Sequence, residues 1–208
     1  LRTQGDFVFT FKGRVILEGR MRFYMSIKIA VISDTHGSLK AWREAERLWR
    51  GSNLIIHLGD VLYHGPRNPL PEEYAPRELA EEINLSKIPV MIIRGNCDAD
   101  IDAAILKWSV SDSYFVLWWD DRFVLALHGT DYGKPEDLAS AFNADLVLTG
   151  HTHVSSITRE GKTIFLNPGS ASLPKGKNPA SFALLDVDGI RILTLMGDII
   201  CFEPWNLI

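Results

Sequence analysis

From residue 27 onward the apolar positions fall in short dense runs separated by polar, glycine-rich breaks. Residues 27–33 are apolar and β-branched and read as a buried strand. Leu39, Trp42, Ala45, Leu48 and Trp49 recur at helical spacing and predict a helix over 39–49. A second strand is predicted at 54–58, a helix at 78–85 and a third strand at 90–93, behind Pro89. Strand–helix–strand steps in succession imply a parallel sheet with right-handed crossovers. The second half changes character. Strands at 114–119 and 123–127 flank Asp120-Asp121, a hairpin signal. A short helix at 135–142 and a strand at 146–148 follow, then brief β runs at 155–158, 163–166, 182–187, 191–195 and 199–202. The stretch 64–76 is rich in Pro and Gly, longer than an ordinary core connection, and a candidate functional loop.

The first 25 residues differ. Phe7, Phe9 and Phe11 alternate with Val8 and Thr10, and Lys12-Gly13 breaks the pattern before Val15-Ile16-Leu17. This suits a hairpin, or sequence upstream of a start at Met25. The expected organisation is an N-terminal extension, 1–25, and one domain, 26–208. The 208 residues, 46% hydrophobic and 23% charged, suffice for a sizeable core and argue against disorder. No run reaches the roughly 18 apolar residues of a membrane span, and no secretory signal is visible before Met25. A net charge of −4 argues against a protein that holds nucleic acid by bulk charge. Cys97 and Cys201 make no disulfide framework, so a reducing, cytoplasmic setting is expected.

The polar residues worth placing sit just after strands, where open α/β sheets put their ligands. Asp34-Thr35-His36-Gly37 follows the first strand, Gly59-Asp60 and then His64-Gly65 the second, and Gly95-Asn96-Cys97-Asp98 the third. His128-Gly129 follows 123–127, and Gly150-His151-Thr152-His153 follows 146–148. D-x-H, G-D and G-N-x-D each read alone as a turn, while G-H-x-H suits a turn and a metal site equally. Together they supply carboxylate, imidazole and amide oxygen, the donors for a divalent cation such as Mn²⁺, Fe²⁺ or Zn²⁺. In D-x-H and H-x-H both side chains can point one way from an extended segment.

These motifs resemble the calcineurin-like metallophosphoesterases, whose pattern is D-x-H, G-D, G-N-H-D/E, H and G-H-x-H. The runs from Gly59 to Asn68, from Arg94 to Asp98 and Asn167-Pro168-Gly169-Ser170 with Pro174-Lys175-Gly176 are similar to the YfcE-type bacterial phosphodiesterases. The resemblance implies an α/β fold, a four-layer αββα sandwich of two mixed β-sheets flanked by helices. It implies a two-metal site with manganese the first choice and Fe²⁺, Ni²⁺ or Zn²⁺ as alternatives. Carried over, the pattern gives Asp34, His36, Asp60 and His153 to one metal and Asp60, Asn96, His128 and His151 to the other, with Asp60 bridging. The activity implied is hydrolysis of a small phosphodiester by a metal-bridging hydroxide.

One position departs from the pattern: Cys97 stands where many relatives carry histidine. A thiol is a poor proton donor, which puts alkyl monoester hydrolysis in doubt and favours diesters with good leaving groups. Its bland reading is a small residue in a tight loop. His64, four residues beyond Asp60, is the candidate catalytic group at the leaving oxygen, against a loop-stabilising role. His57 reads as a packed core or supporting residue, Asp98 as one that orients a ligand, and Arg67 as a substrate contact or an ion-pair partner. Asn167 and Ser170 lie on a turn at the rim. Trp118 and Trp119 cannot both face one side of a strand, and the exposed one is expected at a subunit interface of a homo-oligomer. The main alternative function is a protein-binding scaffold, since the retromer scaffold subunit shares the implied fold. A nuclease is a third, disfavoured by the absence of a basic surplus.

Overall fold

The computed structural model describes residues 9–11, 14–17, 20–23, 27–130 and 134–205, the first three stretches as backbone alone. Near the N-terminus β1 (Phe9–Phe11), β2 (Arg14–Leu17) and β3 (Arg20–Phe23) form an antiparallel meander in the order β1-β2-β3. The hairpin pattern read from the sequence thus gains a third strand, because Arg20-Met21-Arg22-Phe23 also alternates with period two.

The large sheet grows from four parallel strands, β4 (Ile29–Ile32), β5 (Leu54–His57), β6 (Val90–Ile93) and β7 (Val110–Ser111). They are linked by α1 (Leu39–Leu48), α2 (Pro76–Leu85) and α3 (Asp100–Ile105). The small sheet comprises β8 (Tyr114–Trp119), β9 (Arg122–Leu127), β10 (Leu146–Leu148), β11 (Ser156–Glu160) and β12 (Thr163–Asn167), with α4 (Pro135–Phe142) between β9 and β10. The chain then returns as β13 (Ser181–Leu185), β14 (Gly189–Thr194) and β15 (Ile199–Pro204) to extend the large sheet antiparallel. The final orders are β15-β14-β13-β4-β5-β6-β7 and β11-β12-β10-β9-β8.

Period-two alternation divides the core into layers. On β4, Ala30 and Ile32 pack with Trp42, Ala45, Leu79 and Ile83 of α1 and α2, while Ile29 and Val31 face the other sheet. On β9, Val124 and Ala126 enter the slab between the sheets, and Leu125 and Leu127 face outward to Ala139 of α4. Helix, sheet, sheet and helix therefore stack as the resemblance implied. The helix ends follow local chemistry. Ser38 caps α1, its Oγ accepting from the Ala41 N–H at 3.2 Å. Proline occupies the first turn of α2 and α4, where a missing N–H costs nothing, and it starts α2 two residues before the apolar pattern does. At the tip of the β8–β9 hairpin Asp120 and Asp121 both have positive φ, 48° and 61°, as a type I′ turn requires.

Besides β3, two elements escape the sequence reading. Helix α3 buries only Asp102 and has no apolar stripe, and β7 is two half-buried residues long. Among the described residues no helix is long and apolar enough to cross a membrane.

Beneath α1, Phe182 meets Trp49 edge-on at 5.9 Å and Trp49 meets Trp42 at 5.0 Å, all three fully buried. Phe182→Ala should lower stability by about 3–5 kcal/mol. Urea unfolding would show this as a lower midpoint at unchanged slope.

Candidate metal centre

The carboxyl ends of β4, β5, β6, β9 and β10 open onto one edge of the sandwich, and each predicted ligand lies within a few residues of such an end. The local backbone is unusual. Asp34, His36, Asp60, His151 and His153 all have left-handed φ, between 47° and 64°. This conformation is uncommon for residues with a side chain, although Asp and His tolerate it better than most. It curls each loop so that consecutive polar groups turn inward. Two glycines let the loops close up. A Cβ on Gly95 would strike the backbone N and Oδ1 of Asp60, and one on Gly150 would strike Ser33 Oγ.

Asp34, His36, Asp60, His128 and His153 converge on a buried volume, with His151 half-buried and Asn96 exposed at its rim. His36 Nε2 lies 3.8 Å from Asp34 Oδ1 and 3.8 Å from Asp60 Oδ2, and His153 Nε2 lies 3.3 Å from Asp34 Oδ1. On the other side of Asp60, Oδ1 is 3.6 Å from His128 Nε2, which is itself 3.2 Å from Asn96 Oδ1. The His151 ring stands edge-on to His128 with centroids 5.2 Å apart. Asp34, His36 and His153 form one group with all donor atoms within 4.8 Å, and Asp34, Asp60 and His128 form another.

Hydrogen bonds decide which ring nitrogens are available. Nδ1 donates to a backbone carbonyl in three rings: His36 to Tyr63 at 2.9 Å, His128 to Leu58 at 2.6 Å and His153 to Leu173 at 2.6 Å. Neutral rings so fixed present bare Nε2 lone pairs. His36 Nε2 and His153 Nε2 face each other at 3.1 Å, an arrangement repulsive by itself and complementary to a cation. Asp34 Oδ1 is buried in the same place with no hydrogen-bond donor. Its Oδ2 is satisfied by Ser33 Oγ at 2.5 Å and the His151 N–H at 3.1 Å. The donor set therefore fits divalent metal ions on the chain's own terms. Burial pushes the His36 and His151 imidazoles below their ordinary pKa, which keeps both rings neutral and able to ligate.

A supporting shell holds these groups. The Asp98 carboxylate accepts from the N–H groups of Asp60 (2.8 Å), Val61 (2.7 Å) and Gly95 (2.8 Å), tying the loops after β5 and β6 together. Burial pushes Asp98 up to about 6 against the pull of these donors. His57 is fully buried beneath the site. Its Nε2 pairs with Thr35 Oγ1 at 2.9 Å and its Nδ1 accepts from the Gly59 N–H at 3.2 Å. Asn167 and Ser170 do not face the centre. Asn167 Nδ2 donates to the Gly150 carbonyl at 2.7 Å and Ser170 Oγ to the Asp34 carbonyl at 2.7 Å, so both brace loops that carry predicted ligands. Ser33, Thr35 and Ser172, whose Oγ also donates to the Asp34 carbonyl, were not singled out from sequence. Only their places beside the D-x-H and N-P-G-S motifs could have marked them.

Of the remaining candidates, His64 and Arg67 fall outside these two groups, whereas Cys97 adjoins them, its N–H donating to Asp60 Oδ1 at 2.8 Å. The His64 ring is packed edge-on between Tyr63 (4.8 Å) and Tyr74 (5.2 Å), with Nδ1 buried and unpartnered. The loop bond expected of His64 is made by its carbonyl, which accepts from Asn68 Nδ2 at 2.8 Å, and not by the ring. Gly65 lies over Cys97 so closely that a Cβ there would meet Sγ at 2.7 Å. Burial, then the Asp60 carboxylate, push the Cys97 thiol up to about 12. Arg67 is exposed and makes no ion pair among the described residues. Trp119 is buried, its Nε1 donating to the Ile27 carbonyl, while Trp118 is 72% exposed on the edge strand β8.

Residues 27–189 match the family model of the calcineurin-like phosphoesterase superfamily domain. The chain is 38% identical over 171 residues to phosphodiesterase YfcE of Escherichia coli K12, an alignment covering 81% of this chain and 92% of that protein. The solved structure of the E. coli YfcE phosphoesterase superposes with a TM-score of 0.76 at 33% identity, covering 86% of this chain and all of that one. A zinc-complexed Vps29 from Entamoeba histolytica, 23% identical, covers 86% of this chain and 100% of that chain with a TM-score of 0.58 and shares the fold.

The buried His57 generates a pH prediction. Burial lowers its pKa to about 3, against about 6.5 in an unfolded chain. Between these values the unfolded state binds the extra proton, so the stability is fully present above about pH 6.5 and is lost as pH falls toward 3. His36 and His151 shift in the same direction, so the comparison is with His57→Gln. In metal-free protein, the unfolding free energy from urea titrations should fall more steeply with acid for the wild type, by up to about 1.4 kcal/mol per pH unit.

Proposed function

This chain belongs to the calcineurin-like phosphoesterase superfamily, and on that basis we propose that it is a metal-dependent phosphodiesterase hydrolysing a small phosphodiester at a dinuclear centre. The observation that carries the reading is the pair of facing Nε2 lone pairs of His36 and His153 beside the unpartnered Asp34 Oδ1. Asp34, His36, Asp60 and His153 would hold one ion and Asp60, Asn96, His128 and His151 the other, with manganese as the first choice. Asp60 suits the shared position, since Oδ2 reaches toward His36 and Oδ1 toward His128. Two such ions would supply a nucleophile by acidifying water and would neutralise the charge on phosphate.

The chain's own residues set what enters. Two carboxylates against two dications leave the centre positive, which suits an anionic phosphate, and Asn96 ligates without adding negative charge. Backbone carbonyls, by fixing the Nδ1–H tautomer, hold the imidazoles ready to ligate. Cys97 offers no useful acid to a departing oxygen, so diesters with good leaving groups fit better than alkyl monoesters. His64, its Nδ1 free, is the candidate group to assist the leaving oxygen. The free thiols Cys97 and Cys201 suit a reducing, cytoplasmic setting.

The decisive experiment is manganese reconstitution with metal analysis and an aryl diester assay. Two ions per chain and diester turnover are expected. Saturation at one ion would end the dinuclear reading, and absence of turnover with any divalent metal would favour the scaffold alternative. Asp60→Asn should fold normally yet lose more turnover than the roughly 10–100-fold of an outer-shell change.

Cys97→His should raise monoester relative to diester turnover. Positioned proton transfer contributes about 10²–10⁴-fold, and an imidazole without its supporting contacts should deliver less. Kinetics on paired aryl esters at equal metal content read the ratio, and an unchanged ratio would point to His64 as the acid.

A chain starting at Met25 should keep metal binding and diester hydrolysis, since every proposed ligand lies beyond the strand that begins at Ile29. Loss of turnover in a folded truncation would give residues 1–24 a part in the site or in a required oligomer.

A further inference from the structure

A third donor group overlaps the two already described. His36 Nε2, an Asp60 carboxylate oxygen and Cys97 Sγ lie within 4.8 Å of one another. The buried, donorless Asp34 Oδ1 is 3.8 Å from the same His36 nitrogen. Cys97 is not a stray thiol at the rim. The Asn96 Nδ2 donates to its sulfur at 3.3 Å, and Gly65 covers it. A tetrahedral zinc ion, with bonds of about 2.3 Å to sulfur and 2.0–2.1 Å to nitrogen and oxygen, holds neighbouring donors about 3.3–3.6 Å apart. The His36 Nε2 to Asp60 Oδ2 separation of 3.8 Å is already close to that value. Sulfur prefers soft ions, whereas Mn²⁺ prefers oxygen and nitrogen.

We propose that His36, Asp60 and Cys97, with solvent completing the coordination, form a binding site for a thiophilic divalent ion, Zn²⁺ or Cd²⁺, that competes with the manganese pair. On binding, the metal–sulfur bond forms as the S–H bond breaks, and the proton passes to solvent with no change of oxidation state. Because the soft ion takes His36 and Asp60, it displaces manganese from the arrangement proposed for catalysis. Zinc and cadmium then act on this chain as tight, inhibitory occupants. The inference rests on the dinuclear reading for its competition with manganese, and on geometry alone for the thiolate ligand.

The test titrates metal-free full-length chain with Cd²⁺ and follows ultraviolet thiolate-to-cadmium charge transfer, with calorimetry for affinity. The wild type should develop the band of one thiolate per chain. Cys97→Ser should lose it and weaken Cd²⁺ binding by at least about tenfold, the size of loss that removing a contact which merely orients a ligand already reaches. Mn²⁺ affinity should change by less than about twofold, since manganese has little preference for sulfur. Cys201→Ser should keep the band, because Cys201 belongs to no donor group among the described residues. Should Cys97→Ser fail to fold, the wild type still decides: Cd²⁺ must slow alkylation of Cys97, read by peptide mass. No band at saturating Cd²⁺, a band that survives Cys97→Ser, or unprotected Cys97 overturns the proposal. If two Mn²⁺ ions bind and no band appears, this inference falls alone. If neither metal binds, the dinuclear reading falls with it.

Discussion

The site depends on a surplus of lone pairs aimed at one buried place. Asp34 and Asp60 find only imidazoles as ionic neighbours, and among the described residues no lysine or arginine pairs with either. Buried carboxylates without cationic partners are costly to ionise. The fold concentrates them nevertheless, and commits the Nδ1 protons of His36, His128 and His153 to backbone carbonyls so that the opposite nitrogens carry none. Such an arrangement is strained as protein alone and relieved by divalent cations.

Holding that surplus in place requires the two sheets to keep their relative position. Asp34, Asp60 and Asn96 come from the large sheet, and His128, His151 and His153 from the small one. The apolar slab of Ile29, Val31, Ile56, Val124, Leu146 and Leu166 fixes the sheets face to face. At the site edge direct polar ties take over: the His151 N–H to Asp34 Oδ2, the His128 ring to the Leu58 carbonyl, and Ser170 to the Asp34 carbonyl. The loops are thus clamped from both sides. The cost of left-handed backbone, about 1–3 kcal/mol per strained residue, is met by core burial elsewhere.

The sequence showed most strands and the loops that carry the proposed ligands because these follow from apolar runs and from strand ends, whereas the four layers came from the family resemblance. Once 27–33, 54–58 and 90–93 are parallel, whatever follows each must meet at one edge, and Asp34, Asp60 and Asn96 do. Helix α3 and strand β7 were invisible because neither carries an apolar stripe long enough to register. The carbonyls of Leu58, Tyr63 and Leu173, which set the imidazole tautomers, belong to the main chain and leave no mark in residue type. Packing also decided what spacing could not: Trp119 went inward and Trp118 outward, and the His64 ring lodged between two tyrosines.

The left-handed backbone at Asp34, His36, Asp60, His151 and His153 also bears on descent. A lineage with this fold that gave up its metals would be released from ligand chemistry and not from the local backbone. β-Branched replacements at these positions would clash with the conformation, whereas Gly, Asn and Asp accept it. The easiest paths from enzyme to metal-free relative therefore run through a narrow set of residues, and a former ligand position should stay recognisable by its small polar or glycine occupant long after its chemistry has gone.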